Sequence, residues 1–256
     1  MNHHETDENE DLFEEPPLED FLPNTEDEWL REKQMRRQTI VKRTITIGIA
    51  IALLVSLLQI WPQVFNLSSI NFLHKSAELS KQENIQTYKE AVVTIQDQHS
   101  KGTGFNIAKK GLIITNYHVV EDMYPITVTF PNGEIFQATI LQSNPDLDLA
   151  FLHIEAENLP ALSLSERGNW VVTDQIYVIG NPLLHNQIAM DGEILKGSNQ
   201  NGVLLLSAPI YKGNSGSPVI NTSGNVIGVV FALSTKDQTG LAIPIEKVIE
   251  QMPEGY

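Results

Sequence analysis

Three residues of this 256-residue chain stand in surroundings that suit acyl transfer: His118, Asp148 and Ser215. A lone histidine, aspartate or serine is more often structural than chemical, so their local sequence has to carry the reading. His118 lies in LIITNYHVV, directly after an apolar strand, where a loop can hold an imidazole at a barrel rim. With a pKa near neutrality, an imidazole can take the proton of a serine hydroxyl and return it to a leaving amine. The other six histidines sit in the tail, in polar linkers, on a strand or in an Asn-Pro-rich loop, without comparable context. Asp148 opens the strand DLAFLHI, where a carboxylate can accept the second imidazole N–H and stabilise the imidazolium. Asp146 competes for that role. Asp148 is preferred because it abuts the apolar strand that would bury it, whereas Asp146 follows Asn-Pro in an open turn.

Ser215 lies in KGNSGSP. Glycine at 213 and 216 permits a sharp turn, so the amides of Gly213 and Ser215 can converge on a developing oxyanion. An α/β-hydrolase elbow would need glycine two positions after the serine, where Ser217 stands, and its βα alternation is missing. The chain has no cysteine, which removes disulfides, thiolate metal sites and a cysteine nucleophile together. No cofactor is expected.

The elements that must position these residues read as β. From Ala91 onward, twelve short β-branched and aromatic runs alternate with Gly, Asn, Asp and Pro punctuation. Pro131-Asn132-Gly133 and Thr222-Ser223-Gly224-Asn225 are turn signals joining two pairs of them. A dozen short strands suit closed barrels better than one open sheet with exposed edges. Only Ile245–Gln251 near the end looks helical.

Ahead of the β body the composition changes. Residues 1–43 hold thirteen acids against six bases, which accounts for −7 of the formal −15, so the body is only mildly acidic. It has no basic stripe, and nucleic acid is an unsuitable partner. Glu5 to Glu28 is acidic and Pro-rich and reads as a disordered tail, with Phe13, Phe21 and Trp29 as anchors if it docks anywhere. Thr44–Trp61 is uncharged and matches the length of a membrane-crossing helix. Six Lys and Arg residues between Arg31 and Arg43 precede it, which places the N-terminus in the cytoplasm and the body outside. A cleaved signal peptide and a buried core helix are the rivals. The expected organisation is therefore a tail over 1–43, a transmembrane helix over 44–61 embedded in the lipid bilayer, a stalk over 62–85 where SAELSKQENIQTYKE at 76–90 is helical in propensity, and a catalytic domain over 86–256.

Seven motifs in order, GTGF at 102–105, TNYHVV at 115–120, DLAFLHI at 148–154, IGNP at 179–182, GNSGSPVIN at 213–221, VIGV at 226–229 and LAIP at 241–244, resemble the trypsin-like serine peptidases of the HtrA/Deg type. The resemblance implies an all-β fold of two six-stranded antiparallel barrels, with a His118, Asp148, Ser215 triad in the cleft between them. It also implies protein or peptide substrates outside the cytoplasmic membrane. Barrels of this family often assemble through the segment before the first strand, here Phe72–Glu90, so a homo-oligomer stays open. The family usually carries a PDZ domain after the protease, but this sequence stops at Tyr256, so none is expected in this chain. Digestive relatives carry an Asp before the serine that pairs with a new N-terminus. Asn214 stands there instead, so activation should need no cut.

GNSGSP also resembles the glutamyl endopeptidases, but Val230 falls where their substrate-reading histidine would be, which argues against glutamate specificity. Pro209, Ile210, Val229 and Val230 are the expected pocket walls. Their apolar character points to cleavage after Val, Ala or Leu. A rival of another class is a catalytically silent barrel that binds peptides or acts as a chaperone. A third reading, compatible with proteolysis, makes the acidic tail a reporter across the membrane.

Overall fold

The computed structural model describes residues 25–64, 67–166, 170–182, 185–198 and 202–255. Most of the expected tail, including Phe13 and Phe21, lies outside them. The chain divides into two units, residues 1–66 and 67–256.

In the first unit, helix α1 spans Thr25–Val64. It begins well ahead of the apolar run and takes in the basic residues from Arg31 to Arg43, because Glu, Lys, Arg and Gln lose little rotamer freedom in a helix. Within it, Trp29–Ser56 is long and apolar enough to cross a membrane, a test that a signal sequence near the N-terminus passes equally. Its apolar side chains, Ile47, Leu53 and Leu54 among them, are exposed.

The second unit opens with two helices, α2 (Leu67–Leu79) and α3 (Glu83–Glu90). Residues 62–85 read as a stalk from sequence; from Leu67 onward they belong to the packed body. Ile85 is fully buried, Leu79 nearly so, and Ser76 Oγ accepts the Ala189 N–H at 3.0 Å. Leu73 and Tyr88, partly buried, pack against the cores beside them, so the helix pair docks through a few apolar side chains set in a polar stretch.

Six strands follow: β1 (Val92–Gln96), β2 (Lys101–Asn106), β3 (Leu112–Thr115), β4 (Ile126–Thr129), β5 (Ile135–Asn144) and β6 (Leu149–Ile154). They close into an antiparallel barrel in the order β1-β2-β3-β6-β5-β4. A short helix, α4 (Tyr117–Val120), leaves β3.

The second half contains β7 (Ser163–Leu164), β8 (Gln175–Gly180), β9 (Ile188–Glu193), β10 (Leu204–Leu206), β11 (Pro218–Asn221), β12 (Asn225–Leu233) and β13 (Gly240–Pro244), then helix α5 (Ile245–Ile249). Its path is β10-β13-β12-β11-β8-β9, with β7 added in parallel beside β12. This sheet curls until its ends touch through a single bridge, Ile194 to Leu206, so it is a curled half-barrel where the sequence led us to expect a fully closed one. The closing contact is short because the strand that should pair with β9 has only three residues. β7, two residues long, is too short to register as a strand pattern and was not expected.

Each barrel has its own core, and a third apolar cluster joins residues of both. Ile113, Leu152 and Val128 fill the first barrel, and Val178, Ile227 and Val230 the second. Leu112, Ile114 and Phe151 meet Val229, Ile220 and Ile243 in the cluster shared by the two. β3 is therefore apolar at every position before Thr115, as a strand covered on both faces must be.

Candidate active site

His118 and Asp148 meet through sheet register. β3 pairs with β6 so that Thr115 lies opposite Ala150, and continuing that register past both strand ends brings Asp148 opposite Tyr117, beside His118. Asp148 has φ +53, a left-handed conformation that Asp tolerates better than most residues, and its N–H donates to Pro145 O at 3.1 Å. That bend turns the carboxylate back over α4. Its Oδ1 accepts the backbone N–H of His118 at 2.9 Å and its Oδ2 lies 2.7 Å from His118 Nδ1. Asn116, fully buried, donates through Nδ2 to the Asp148 carbonyl at 2.8 Å, so backbone and side chain of the aspartate are both held.

This arrangement has a protonation consequence. The hydrogen bond to Asp148 raises the His118 imidazole above its ordinary value of 6.5, burial opposes the rise, and the charges of Asp148 and Glu121 add to it. With Asp148 ionised, Nδ1 keeps the proton that faces it, and neutral His118 carries its free lone pair on Nε2. The carboxylate that engages the imidazole is that of Asp148; Asp146, two residues earlier, is exposed.

Ser215 comes from the other barrel, on the turn between Tyr211 and β11. Asn214 N–H donates to Tyr211 O at 3.0 Å, Ser217 N–H to Asn214 O at 2.9 Å, and Gly216 N–H to Val230 O at 2.9 Å. Gly213 has φ +99 and Gly216 φ +83. At Gly216 a Cβ would also run into the Thr103 carbonyl and the Thr115 hydroxyl, so only glycine lets the serine turn approach the first barrel this closely. Among the described residues, the N–H groups of Gly213 and Ser215 donate to no other group. Two unused amides on either side of Asn214 are what an oxyanion needs.

Thr103 and Asn181, inside the GTGF and IGNP motifs, belong to the site although neither is a candidate residue from sequence. Both are fully buried. Thr103 N–H donates to Ser215 O at 3.0 Å, its Oγ1 donates to Gly213 O at 2.7 Å, and the same oxygen accepts Asn181 N–H at 2.9 Å. Asn181 Nδ2 reaches the Val93 carbonyl at 2.9 Å. Polar residues inside apolar motifs are the signal that would have found them, since a buried hydroxyl or amide has to be satisfied.

Of the expected pocket walls, Pro209 is exposed and Ile210 is packed into the second-barrel core with Val230. Val229 belongs to the cluster shared by the barrels, on the opposite face of β12 from Val230. β12 carries a register shift between Val230 and Ala232, leaving Phe231 at the irregularity.

Residues 102–229 match a family profile described as a trypsin-like peptidase domain. A probable periplasmic serine endoprotease, DegP-like, from Chlamydia pneumoniae is 34% identical over 202 residues, covering 73% of this chain and 40% of the relative. The serine endoprotease DegS of Haemophilus influenzae is 31% identical over 156 residues, covering 56% and 46%. Among solved structures, a serine endoprotease from Yersinia pestis superposes with a TM-score of 0.62 at 30% identity, over 65% of this chain and 63% of that one. The chain thus spans less than half the length of these curated relatives.

Proposed function

Because the chain belongs to the trypsin-like peptidase family, in its HtrA/DegP type, we propose that it is a membrane-anchored serine endopeptidase that cleaves misfolded or specific proteins outside the cytoplasmic membrane. The observation that carries the reading is the doubly bonded His118–Asp148 pair, which commits Nδ1 of the imidazole and leaves Nε2 as the base.

In this mechanism Ser215 Oγ attacks the scissile carbonyl carbon while His118 Nε2 takes the hydroxyl proton. The carbonyl oxygen becomes an oxyanion and accepts hydrogen bonds from the N–H groups of Gly213 and Ser215. Asp148 stabilises the imidazolium without taking its proton. Collapse of the tetrahedral intermediate breaks the C–N bond, the imidazolium protonates the departing amine, and an acyl-serine remains. Water, deprotonated by the same Nε2, then releases the acid product and restores the serine.

Substrate choice follows from charge. No Asp, Glu, Lys or Arg occurs in Ser207–Tyr211 or Val229–Ala232, which favours Val, Ala or Leu before the cleaved bond over charged side chains. The apolar stretch of α1 and the basic residues before it support a single-pass anchor with a cytoplasmic N-terminus. The relatives named periplasmic support a protease domain on the outer side.

The test is fluorophosphonate labelling of the full chain in mild detergent with peptide mapping and a Ser215→Ala control. Modification confined to Ser215 is expected. An intact fold that takes up no probe would sink the peptidase reading and promote the silent peptide-binding barrel.

A further inference from the structure

Glycine at 213 poses a problem that the triad does not solve. At φ +99 its flanking peptides can take many orientations, and only one directs the Gly213 N–H toward the reacting carbonyl. The turn needs a clamp from outside itself. The Tyr211, Asn214 and Ser217 bonds stay within the turn and leave the Gly213 and Ser215 carbonyls unaccounted for.

Both carbonyls are gripped by one residue of the other barrel. Thr103 N–H donates to Ser215 O at 3.0 Å, and Thr103 Oγ1 donates to Gly213 O at 2.7 Å. A hydroxyl has one proton to give, and here it is committed, because the Asn181 N–H occupies the acceptor side of the same oxygen at 2.9 Å. Thr103 itself is fixed through its carbonyl, which accepts the Thr115 hydroxyl at 2.7 Å, and Thr115 ends the strand that leads to His118. Thr103, Thr115 and Asn181 are fully buried, while Gly213 and Ser215 are half-buried, so the clamp is anchored from the dry side of the turn.

We infer that Thr103 is a positioning residue for the oxyanion site: its hydroxyl holds the Gly213–Asn214 peptide and its N–H holds the Ser215–Gly216 peptide, which fixes from both sides the Asn214–Ser215 peptide that carries the Ser215 N–H and leaves Gly213 less freedom to turn. The same residue ties that turn to the histidine strand, so base and oxyanion donors are set by one hydrogen-bonded chain, Thr115 to Thr103 to Gly213. The inference rests on the serine-peptidase reading for its catalytic meaning, but the clamp is a physical claim with its own readout.

The experiment compares Thr103→Val, which keeps the shape and removes the hydroxyl, with Thr103→Ser, which keeps the hydroxyl. In the full chain, the rate of Ser215 phosphonylation by a fluorophosphonate should fall roughly 10- to 100-fold in the valine variant, less than outright loss of an oxyanion donor costs. The serine variant should return to within about threefold of wild type. The KM for fluorescein-labelled casein should change little while kcat falls, and the pH midpoint of labelling should not move, because His118 and Asp148 are untouched. Independently of activity, the Asn214 amide should exchange with solvent faster in the valine variant than in wild type or Thr103→Ser. If the valine variant does not fold, Thr103→Cys, whose thiol is a weak donor, takes its place beside Thr103→Ser. Equal labelling rates and equal Asn214 exchange in all variants overturn the clamp. An unlabelled wild-type chain overturns the peptidase reading instead, and the exchange comparison still decides whether Thr103 holds the turn.

Discussion

The two halves of the candidate site are built differently. His118 and Asp148 belong to one barrel, lie thirty positions apart, and are joined by two direct hydrogen bonds set by the β3–β6 register. The Ser215 turn belongs to the other barrel and depends on two glycines with positive φ and on bonds lent by Thr103 across the interface. The base is secured by its own sheet, whereas the nucleophile is secured by docking of the barrels. Damage to the first should thus change chemistry with little effect on the fold, and damage to the second should disturb both.

The largest effect is expected at the base. Asp148→Asn should lower kcat by on the order of 10⁴ with KM nearly unchanged, because the imidazole loses its tautomer and its counter-charge. Steady-state hydrolysis of fluorescein-labelled casein checks it. Near-normal turnover would transfer the role to Asp146. Next comes the glycine that lets the barrels approach. Gly216→Ala should cost more than the roughly 1–2 kcal/mol of a left-handed alanine, since its Cβ meets Thr103 and Thr115. Gly133→Ala is the matched control: φ is +90 but nothing lies within 4 Å, so only the conformational cost applies. Denaturant unfolding of the two variants should separate them, and equal losses would mean that the close approach at Gly216 has no energetic weight.

A smaller effect is the pH dependence. His118 is raised above 6.5, chiefly by its hydrogen bond to Asp148, so activity should climb with a midpoint above that value as the imidazole loses its proton. The stability contribution of the charged pair runs the other way. It is fully present below the unfolded value of about 6.5 and is lost as pH rises through the higher folded value. A rate profile flat from pH 5 to pH 8 would count against a histidine base. The smallest change belongs to Glu121, the last contributor to that rise. Glu121→Gln should move the midpoint slightly downward at low ionic strength and hardly at all in high salt, because an exposed charge is screened.

Strand positions were readable because the punctuation is local. The Pro131-Asn132-Gly133 turn and the twelve apolar runs each announce themselves within ten residues, and only β7, with two residues, escaped. Ahead of β1 helical propensity is legible over 76–90, but the docking of α2 and α3 on the body is not. Ile85 and Leu79 are the only deeply buried apolar residues of α2 and α3 among those described, too few to stand out from a polar stretch by periodicity. The pocket walls were harder still. Val229 and Val230 are both apolar and buried, yet adjacent strand residues face opposite ways, so they serve different cores.

By itself the sequence determined the chemistry on offer: a histidine after an apolar strand, an aspartate opening another, and a serine between two glycines. Residue type and local backbone freedom are properties of short segments, and short segments are what a sequence displays. Tertiary structure alone decided how the Asp148 carboxylate grips both the ring and the backbone N–H of His118, how a curled sheet lacking a full seam still presents Ser215, and that Thr103 spans more than a hundred positions to hold Gly213. Those are contacts between residues distant in the chain. They follow from strand register and from the packing of one barrel on another, and neither is written in any local pattern.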